Sequence, residues 1–219
     1  MPFEVKRKFV PNALLLSKSL IQPSGLFATG YPRFATLEPT SSTTFRDIYY
    51  DLCPDWPLSQ RGYWLRSRNG AWCLKRNLKG GGAEHYQNAR YQEIRGLDQI
   101  RDELRAVLGE NFKKGNERLP FGLDVLCDMT TRRKQFLIDG KFTLSIDEMG
   151  FGTFGQLELE TKNEGEVPAL DARLADFMQR HAWFFYREQG PEKKFKGKME
   201  VFFDLYGRGG AQRNANDGL

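Results

Sequence analysis

The chain has 219 residues, which is enough for one domain with a substantial hydrophobic core. Hydrophobic residues make up 40% of it, and no apolar run approaches the roughly 18 residues that a bilayer-spanning helix needs. The composition therefore predicts a soluble globular protein and no membrane partner. The net charge of +5 favours an anionic partner, either nucleic acid or phosphate.

The three cysteines, Cys53, Cys73 and Cys127, are far apart and lack C-x-x-C spacing. Such cysteines are typical of reduced thiols in the cytosol. The short apolar stretch 13–16 follows a charged segment, which argues against a signal or transit peptide. We expect a cytoplasmic monomer.

Alternation of apolar and polar residues with period two predicts eight β-strands. In chain order they are Phe3–Val10, Phe45–Asp51, Tyr63–Arg68, Ala71–Asn77, Arg90–Arg95, Asp124–Ile138, Lys141–Met149 and Gln156–Lys162. Asn69-Gly70 and Asp139-Gly140 tolerate positive φ and predict tight type I′ hairpin turns. The Pro-, Gly-, Ser- and Thr-rich segment Gln22–Thr44 is predicted to be a long loop with one strand near Phe34–Leu37.

Three helices are predicted, at Leu97–Leu108, Pro168–Phe185 and Lys198–Tyr206. Many strands with few helices predict an α+β fold in which an antiparallel β-barrel, closed on itself, carries peripheral helices. The expected domain covers residues 1–206, and the polar residues 207–219 are expected to be a disordered tail.

Charged residues recur on one face of several predicted strands. Glu4, Lys6 and Lys8 share one face of the first strand, and Arg66 and Arg68 share a face with a tryptophan, Trp64. Further charges at strand positions are Lys75, Glu93, Arg132, Asp147, Glu158 and Glu160. For any single strand, a face exposed to water is the alternative interpretation.

The apolar faces of the same strands decide the direction in which the charges point. Phe3 and Val5 alternate with the charges of the first strand, as Leu157 and Leu159 do with Glu158 and Glu160. The peripheral helices need apolar surface outside the sheet, so we expect the charged faces to point into the barrel.

A barrel of about eight strands has room for one small ligand. Unpaired charges in such a space cost several kcal/mol each, so they require partners. A polyphosphate with a divalent metal satisfies both signs, because Arg and Lys bind phosphate oxygens and carboxylates ligate Mg²⁺ or Mn²⁺. Phosphoryl transfer relies on positioning and charge stabilisation, which fits the lack of a Ser-His-Asp or Cys-His pattern.

Six segments, spread over roughly residues 3–203, also follow the order of motifs in a known family. They are Phe3–Phe9, Phe45–Asp51, Trp64–Arg68, Trp72–Lys75, Tyr91–Glu93 and Leu157–Glu160. In this order and spacing the chain resembles the CYTH superfamily, the triphosphate tunnel enzymes, and within it the thiamine triphosphatase-like branch. The resemblance implies an eight-stranded tunnel and a metal-dependent triphosphatase using Mg²⁺, with Mn²⁺ as an alternative.

The resemblance also implies roles for individual residues. Triphosphate binding falls to Lys8, Arg66, Arg68, Lys75, Arg132 and Lys198. The metal would be bound by Glu4, Asp147, Glu158 and Glu160, and the catalytic residues would be Lys75 and Glu93. Trp64 would contact the organic end of the substrate, with a packed barrel residue as the alternative. Arg133 is an alternative to Arg132, as Lys193, Lys194 and Lys196 are to Lys198.

One residue departs from the family pattern. The first motif of the family is Glu-x-Glu-x-Lys, and Lys6 stands at its second Glu. This change shifts the local charge by two units where the metal is expected, so metal affinity should fall unless Lys6 pairs with Glu158 or Glu160. We predict weaker metal dependence or low activity.

The leading function is hydrolysis of thiamine triphosphate to thiamine diphosphate and phosphate. Alternatives on the same barrel are an inorganic tripolyphosphatase, an RNA 5′-triphosphatase, a nucleotide cyclase, or a triphosphate-binding protein that has lost catalysis through Lys6. A nucleic-acid-binding barrel is disfavoured because the patterned charges include five carboxylates, which would repel a phosphate backbone.

Overall fold

The computed structural model describes residues 3–11, 34–77, 88–113, 120–185 and 196–211. It contains eight principal β-strands: β1 Phe3–Phe9, β2 Leu37–Asp51, β3 Tyr63–Arg68, β4 Ala71–Asn77, β5 Asn88–Ile94, β6 Asp124–Ile138, β7 Phe142–Met149 and β8 Gly152–Thr161. They pair antiparallel in the order β2-β3-β4-β5-β1-β8-β7-β6, and β2 also pairs with β6. That last pairing closes the sheet into a ring, which confirms the eight-stranded antiparallel barrel.

The second strand is longer than the sequence predicts. Glu38–Thr44, assigned above to a loop, belongs to β2 and pairs with the end of β6, and the strand predicted near Phe34–Leu37 overlaps β2 only at Leu37. These residues are mostly exposed, so the alternation that identifies a half-buried strand is missing. The register shifts between Pro39 and Ser41, which accommodates a residue that lacks an N–H. Residues 22–33 of the predicted loop lie outside the described residues.

Both predicted hairpin turns are confirmed. Asn69 and Gly70 have φ of 47° and 87°, and Asp139 and Gly140 have φ of 52° and 62°. A side chain of each turn also accepts a hydrogen bond from the backbone: Asn69 Oδ1 accepts from the N–H of Arg46 in β2 at 3.0 Å, and Asp139 Oδ1 accepts from the N–H of Thr36, just before β2, at 2.9 Å. These turns fix the registers of β3 with β4 and of β6 with β7.

The helices are α1 Pro57–Gln60, α2 Leu97–Leu108, α3 Glu110–Lys113, α4 Val167–Arg180, α5 Ala182–Phe185 and α6 Lys198–Tyr206, with 3₁₀ turns at Pro120–Gly122 and Glu164–Glu166. The helix predicted at Pro168–Phe185 is two helices, because His181 leaves helical geometry with φ −109° and ψ 35°.

A two-residue strand, β9 Gly210–Ala211, pairs in parallel with β6, although the sequence assigns these residues to a disordered tail. Residues 212–219 lie outside the described residues. Among the described helices, none combines the length and apolar character needed to cross a membrane.

Two hydrophobic clusters lie between the outer face of the ring and the helices, and a third borders the inside of the ring. Val5, Phe9 and Leu157 pack with residues of α4 and α5, and Leu65 and Leu74 pack with α2. A third cluster joins Tyr49, Leu126, Cys127 and Met129 to Phe202 of α6. Gly155 lies opposite Phe9 in the β1–β8 ladder, where any Cβ would overlap the phenylalanine ring. The apolar strand faces therefore turn outward, as expected, and the charged faces turn inward.

Candidate functional site

A cavity of about 320 Å³ lies inside the ring and is lined mainly by charged side chains. Seven of the eight principal strands and the start of α6 contribute to it. The cations are Lys6, Lys8, Arg66, Arg68, Lys75, Arg95, Arg133 and Lys198, and the carboxylates are Glu4, Glu93, Glu158, Glu160 and Glu200. Eight cations against five carboxylates leave a formal excess of three positive charges. Such an excess in an enclosed space favours a small polyanion.

Charges of alternating sign follow one another across β8, β1, β4 and β5. Lys6 Nζ lies 2.8 Å from Glu4 Oε1 and 3.8 Å from Glu158 Oε1. Lys75 Nζ lies 2.9 Å from the second oxygen of Glu4 and 2.5 Å from Glu93 Oε1. We call this set, Glu158–Lys6–Glu4–Lys75–Glu93, the alternating chain. Lys75 and Glu93, the predicted catalytic pair, are thus in direct contact.

The pKa values in the alternating chain follow from burial and neighbouring charge. Burial opposes ionisation of Glu93, but the ammonium of Lys75 and the guanidinium of Arg95 outweigh it and lower its pKa to about 2. Burial opposes ionisation of Glu4 as well, yet Lys6 and Lys75 hold its pKa far below the ordinary value. For Glu158, burial dominates and, with the charge of Glu4, raises the pKa despite the nearby Lys6.

Two fully buried aspartates hold two of the arginines that line the cavity. Asp47 accepts hydrogen bonds from Nε and Nη2 of Arg68, both at 2.8 Å, and its Oδ1 lies 3.7 Å from Arg66 Nε. Asp147 accepts from Nε and Nη2 of Arg133 at 2.6 and 2.8 Å, and from Lys198 Nζ at 3.5 Å. Bidentate pairs of this kind fix the plane of a guanidinium and leave its remaining N–H groups for a ligand.

Asp147 is therefore a partner of cations and lies behind the cavity wall. Burial opposes its ionisation, but Lys198 and Arg133 outweigh burial and lower its pKa to about 2. The sequence assigns Asp147 to a metal, whereas in the structure both of its oxygens are held by protein cations. Asp47, in the segment Phe45–Asp51, pairs with Arg68 in the equivalent way.

The expectation that Arg132 faces the cavity is wrong. Its side chain is 63% exposed and lies 3.9 Å from Glu148, whereas the side chain of Arg133 is 13% exposed and lines the cavity. Successive side chains of a strand point to opposite faces, and in this part of β6 Arg133 and Gln135 point inward. Because Arg132 and Arg133 are both charged, the alternation of apolar and polar residues does not show which of the two points inward.

The position of Lys198 in the cavity agrees with the sequence expectation. It begins α6, where Glu200 Oε2 accepts from the N–H of Gly197 at 2.7 Å and so fixes the first turn. Lys196 is exposed and pairs with Asp204, and Lys193 and Lys194 lie outside the described residues.

Lys8 also lines the cavity and is enclosed by it. Burial, with the neighbouring charges of Lys6 and Lys198, lowers its pKa to about 7. An amine in this environment gains most from an anionic ligand that restores its charge.

Aromatic side chains line part of the same cavity. Trp64 does so and also packs on the cluster of α6, so it has the position that each of the two interpretations requires. Its ring meets Tyr49 edge to face at a centroid distance of 6.2 Å. Tyr49, Tyr91, Arg95, Gln135, Gln156 and Glu200 are lining residues that the sequence analysis misses. Gln156 could have been found, because it continues the inward face of Glu158 and Glu160 by two residues.

The carboxylates expected to hold a metal do not fit one as they stand. Both oxygens of Glu4 are held by lysines, Asp147 is engaged by Arg133 and Lys198, and Glu158 lies beside Lys6; Glu160 lines the cavity from an exposed position. Within the part of the chain that the structure describes, no group of three or more His, Cys, Asp or Glu side chains is arranged to hold a metal ion. The magnesium or manganese ion expected from the sequence stays a prediction.

A closed antiparallel ring with cations fixed around an internal cavity defines a tunnel protein of the polyanion-binding kind. A family model described as the CYTH domain matches residues 34–181, more than half of the chain. The chain belongs to the CYTH family. No curated protein matches its sequence.

Solved structures support the same fold. A protein of Pyrococcus horikoshii OT3 is 19% identical, with a TM-score of 0.53, over 92% of this chain and 99% of the other. A candidate adenylate cyclase of Vibrio parahaemolyticus is 20% identical, with a TM-score of 0.51, over 91% and 97%. At these identities the similarity establishes the tunnel fold and leaves the reaction open.

Proposed function

We propose that this protein hydrolyses a small organic triphosphate, with thiamine triphosphate preferred, to the diphosphate and phosphate. The observation that carries the proposal is the set of arginines that two buried aspartates hold around one cavity of about 320 Å³. A cavity of this volume suits one small ligand. The cations lie inside the ring, which favours a small-molecule triphosphate over nucleic acid. We propose that the protein acts as a monomer, since one chain supplies the whole lining of the cavity.

The triphosphate would be bound by the cations of the cavity. Arg68 and Arg133 offer N–H groups in planes fixed by their aspartates, which suit phosphate oxygens, and Arg66 adds a third guanidinium whose Nε lies 3.7 Å from Asp47. Lys8 and Lys198 add charge from the side of β1 and α6. Asp47 and Asp147 position the arginines without touching the substrate, because they lie behind them.

Hydrolysis needs an oriented water molecule and a stabilised leaving group. The water oxygen forms a bond to the terminal phosphorus, the bond from that phosphorus to the bridging oxygen breaks, and the diphosphate leaves. A proton of the water is released with the phosphate. Glu93 is anionic and held by Lys75, so it can orient a water molecule, while the charged Lys75 binds phosphate oxygen. No protein nucleophile is required.

The preference for thiamine triphosphate rests on the aromatic part of the cavity and on the resemblance to the thiamine triphosphatase-like branch. Thiamine carries a cationic heteroaromatic ring, and Trp64, Tyr49 and Tyr91 offer faces on which such a ring can pack. Inorganic tripolyphosphate would use the cations alone.

The test is phosphate release from thiamine triphosphate, tripolyphosphate, ATP and an RNA 5′-triphosphate, each with Mg²⁺ and with EDTA. We expect the highest kcat/KM for thiamine triphosphate and no cyclic nucleotide from ATP. A higher kcat/KM for tripolyphosphate would replace the organic substrate by the inorganic one. Tight binding of all four without phosphate release would show a binding protein.

A further inference from the structure

Lys6 occupies a position enclosed by carboxylates. It is 7% exposed and lies opposite Glu158 in the β1–β8 ladder, as Glu4 lies opposite Glu160. Its ammonium donates to Glu4 at 2.8 Å and lies 3.8 Å from Glu158. A single cation thus already links the carboxylates of two neighbouring strands.

We propose that Lys6 acts as a tethered cation in the place of a divalent metal, so that the cavity binds its triphosphate in the metal-free form. The proposal rests on the triphosphate-binding part of the function proposed above and concerns how that binding depends on metal. A divalent ion between Glu4 and Glu158 would meet the ammonium of Lys6 and would also have to displace Lys75 from Glu4.

The charge of the cavity supports the same conclusion. Counted with Asp47 and Asp147, which lie behind the wall, the cavity has eight cations and seven carboxylates and thus a formal excess of one positive charge. A glutamate at position 6 would change this to an excess of one negative charge. A divalent cation removes two negative charges from a triphosphate, which is the same difference. The wild-type lining therefore matches the metal-free ligand better than its metal complex.

The experiment is calorimetric titration of the protein with tripolyphosphate, in EDTA and in Mg²⁺. We expect wild-type protein to bind at least as tightly in EDTA. Lys6→Met removes the cation without adding a carboxylate and should weaken binding in EDTA by roughly tenfold or more, as loss of a charge-assisted hydrogen bond does.

Lys6→Glu gives a second readout that does not depend on turnover. We expect this variant to bind Mn²⁺, measured by the loss of the free-ion electron paramagnetic resonance signal, and to bind tripolyphosphate more tightly with Mg²⁺ than in EDTA. Lys141→Glu, in the exposed turn between β6 and β7, makes the same charge change outside the cavity and should behave as wild type in both assays. Thermal unfolding of each variant shows whether it is folded.

The outcomes separate the inference from the function. Wild-type protein that binds tripolyphosphate only with Mg²⁺, or that binds Mn²⁺ as tightly as Lys6→Glu, overturns the tethered-cation role and leaves the triphosphate site standing. Wild-type protein that binds no tripolyphosphate under either condition overturns both.

Discussion

Carboxylates have different structural roles on the two sides of the cavity. On the arginine side, Asp47 and Asp147 are fully buried and lie behind the guanidinium groups that they hold. On the side of the alternating chain, Glu4, Glu93 and Glu158 line the cavity themselves and are linked by lysines. The comparison shows that an inward carboxylate is not by itself a metal ligand. The role of such a carboxylate depends on whether it lines the cavity or lies behind an arginine and holds it in place.

The largest expected effect tests the arginine side. Asp147→Asn should lower the free energy of unfolding by roughly 3–5 kcal/mol, because Arg133 and Lys198 would remain buried without their counter-charge. Urea unfolding measures this effect. Asp176→Asn, which breaks an exposed pair with Arg180, is the matched control and should cost about 0.5 kcal/mol or less. Equal losses in the two variants would show that Asp147 is not the anchor described above.

The next effect separates two adjacent arginines. Arg133→Ala should weaken tripolyphosphate binding by roughly 10- to 100-fold, the value of a charge-assisted hydrogen bond to a buried ligand. Arg132→Ala should leave it within about twofold, because exposed ion pairs such as Arg132–Glu148 contribute little. Calorimetry with both variants measures the ratio. If Arg132→Ala loses more affinity for tripolyphosphate than Arg133→Ala does, the sequence-based assignment is right and the side chains of β6 do not point as described above.

Sequence alone was sufficient in other parts of the molecule. The strands β3, β4 and β6 and the helices α2 and α6 begin and end where the pattern places them, because each has a clear period or a turn at its end. The inward direction of Lys6, Lys8, Arg66 and Arg68 also follows from alternation with apolar residues.

The failures have a common physical cause. Where neighbouring residues are both polar, as in Arg132-Arg133 or Thr40–Thr44, alternation does not show which side chains point inward, and pairing with the neighbouring strand decides. The role of Asp147 could not be predicted either, because it depends on Arg133 and on Lys198, which lies 51 positions further along the chain. The contact of Lys6 with Glu158 was anticipated as one of two options, and the ladder of β1 with β8 selects it.

A smaller effect depends on pH and involves the contact between β1 and α6. The pKa of Lys8 is lowered to about 7 by burial, so in the protein without ligand its ammonium loses a proton as pH rises through 7, whereas a bound phosphate would hold that proton. Affinity for tripolyphosphate should therefore fall between pH 7 and 9, by up to roughly tenfold for each unit. Tripolyphosphate itself titrates, so Lys8→Arg, which stays charged, is the reference at each pH. If the affinity of the wild-type protein changes with pH in the same way as that of Lys8→Arg, Lys8 is still charged at pH 9 and the prediction is wrong.

The smallest expected effect concerns the organic end of the substrate. Trp64→Leu should lower kcat/KM for thiamine triphosphate by roughly fivefold, the size of one aromatic contact, and leave kcat/KM for tripolyphosphate unchanged. If Trp64 only packs against Tyr49 and the α6 cluster, both substrates should lose equally, because the loss would act through the shape of the cavity. The ratio of the two kcat/KM values therefore separates substrate contact from packing even if the variant is less stable. An unchanged ratio would also mean that the aromatic side chains do not favour thiamine, and that the cavity recognises only the phosphate groups of its substrate.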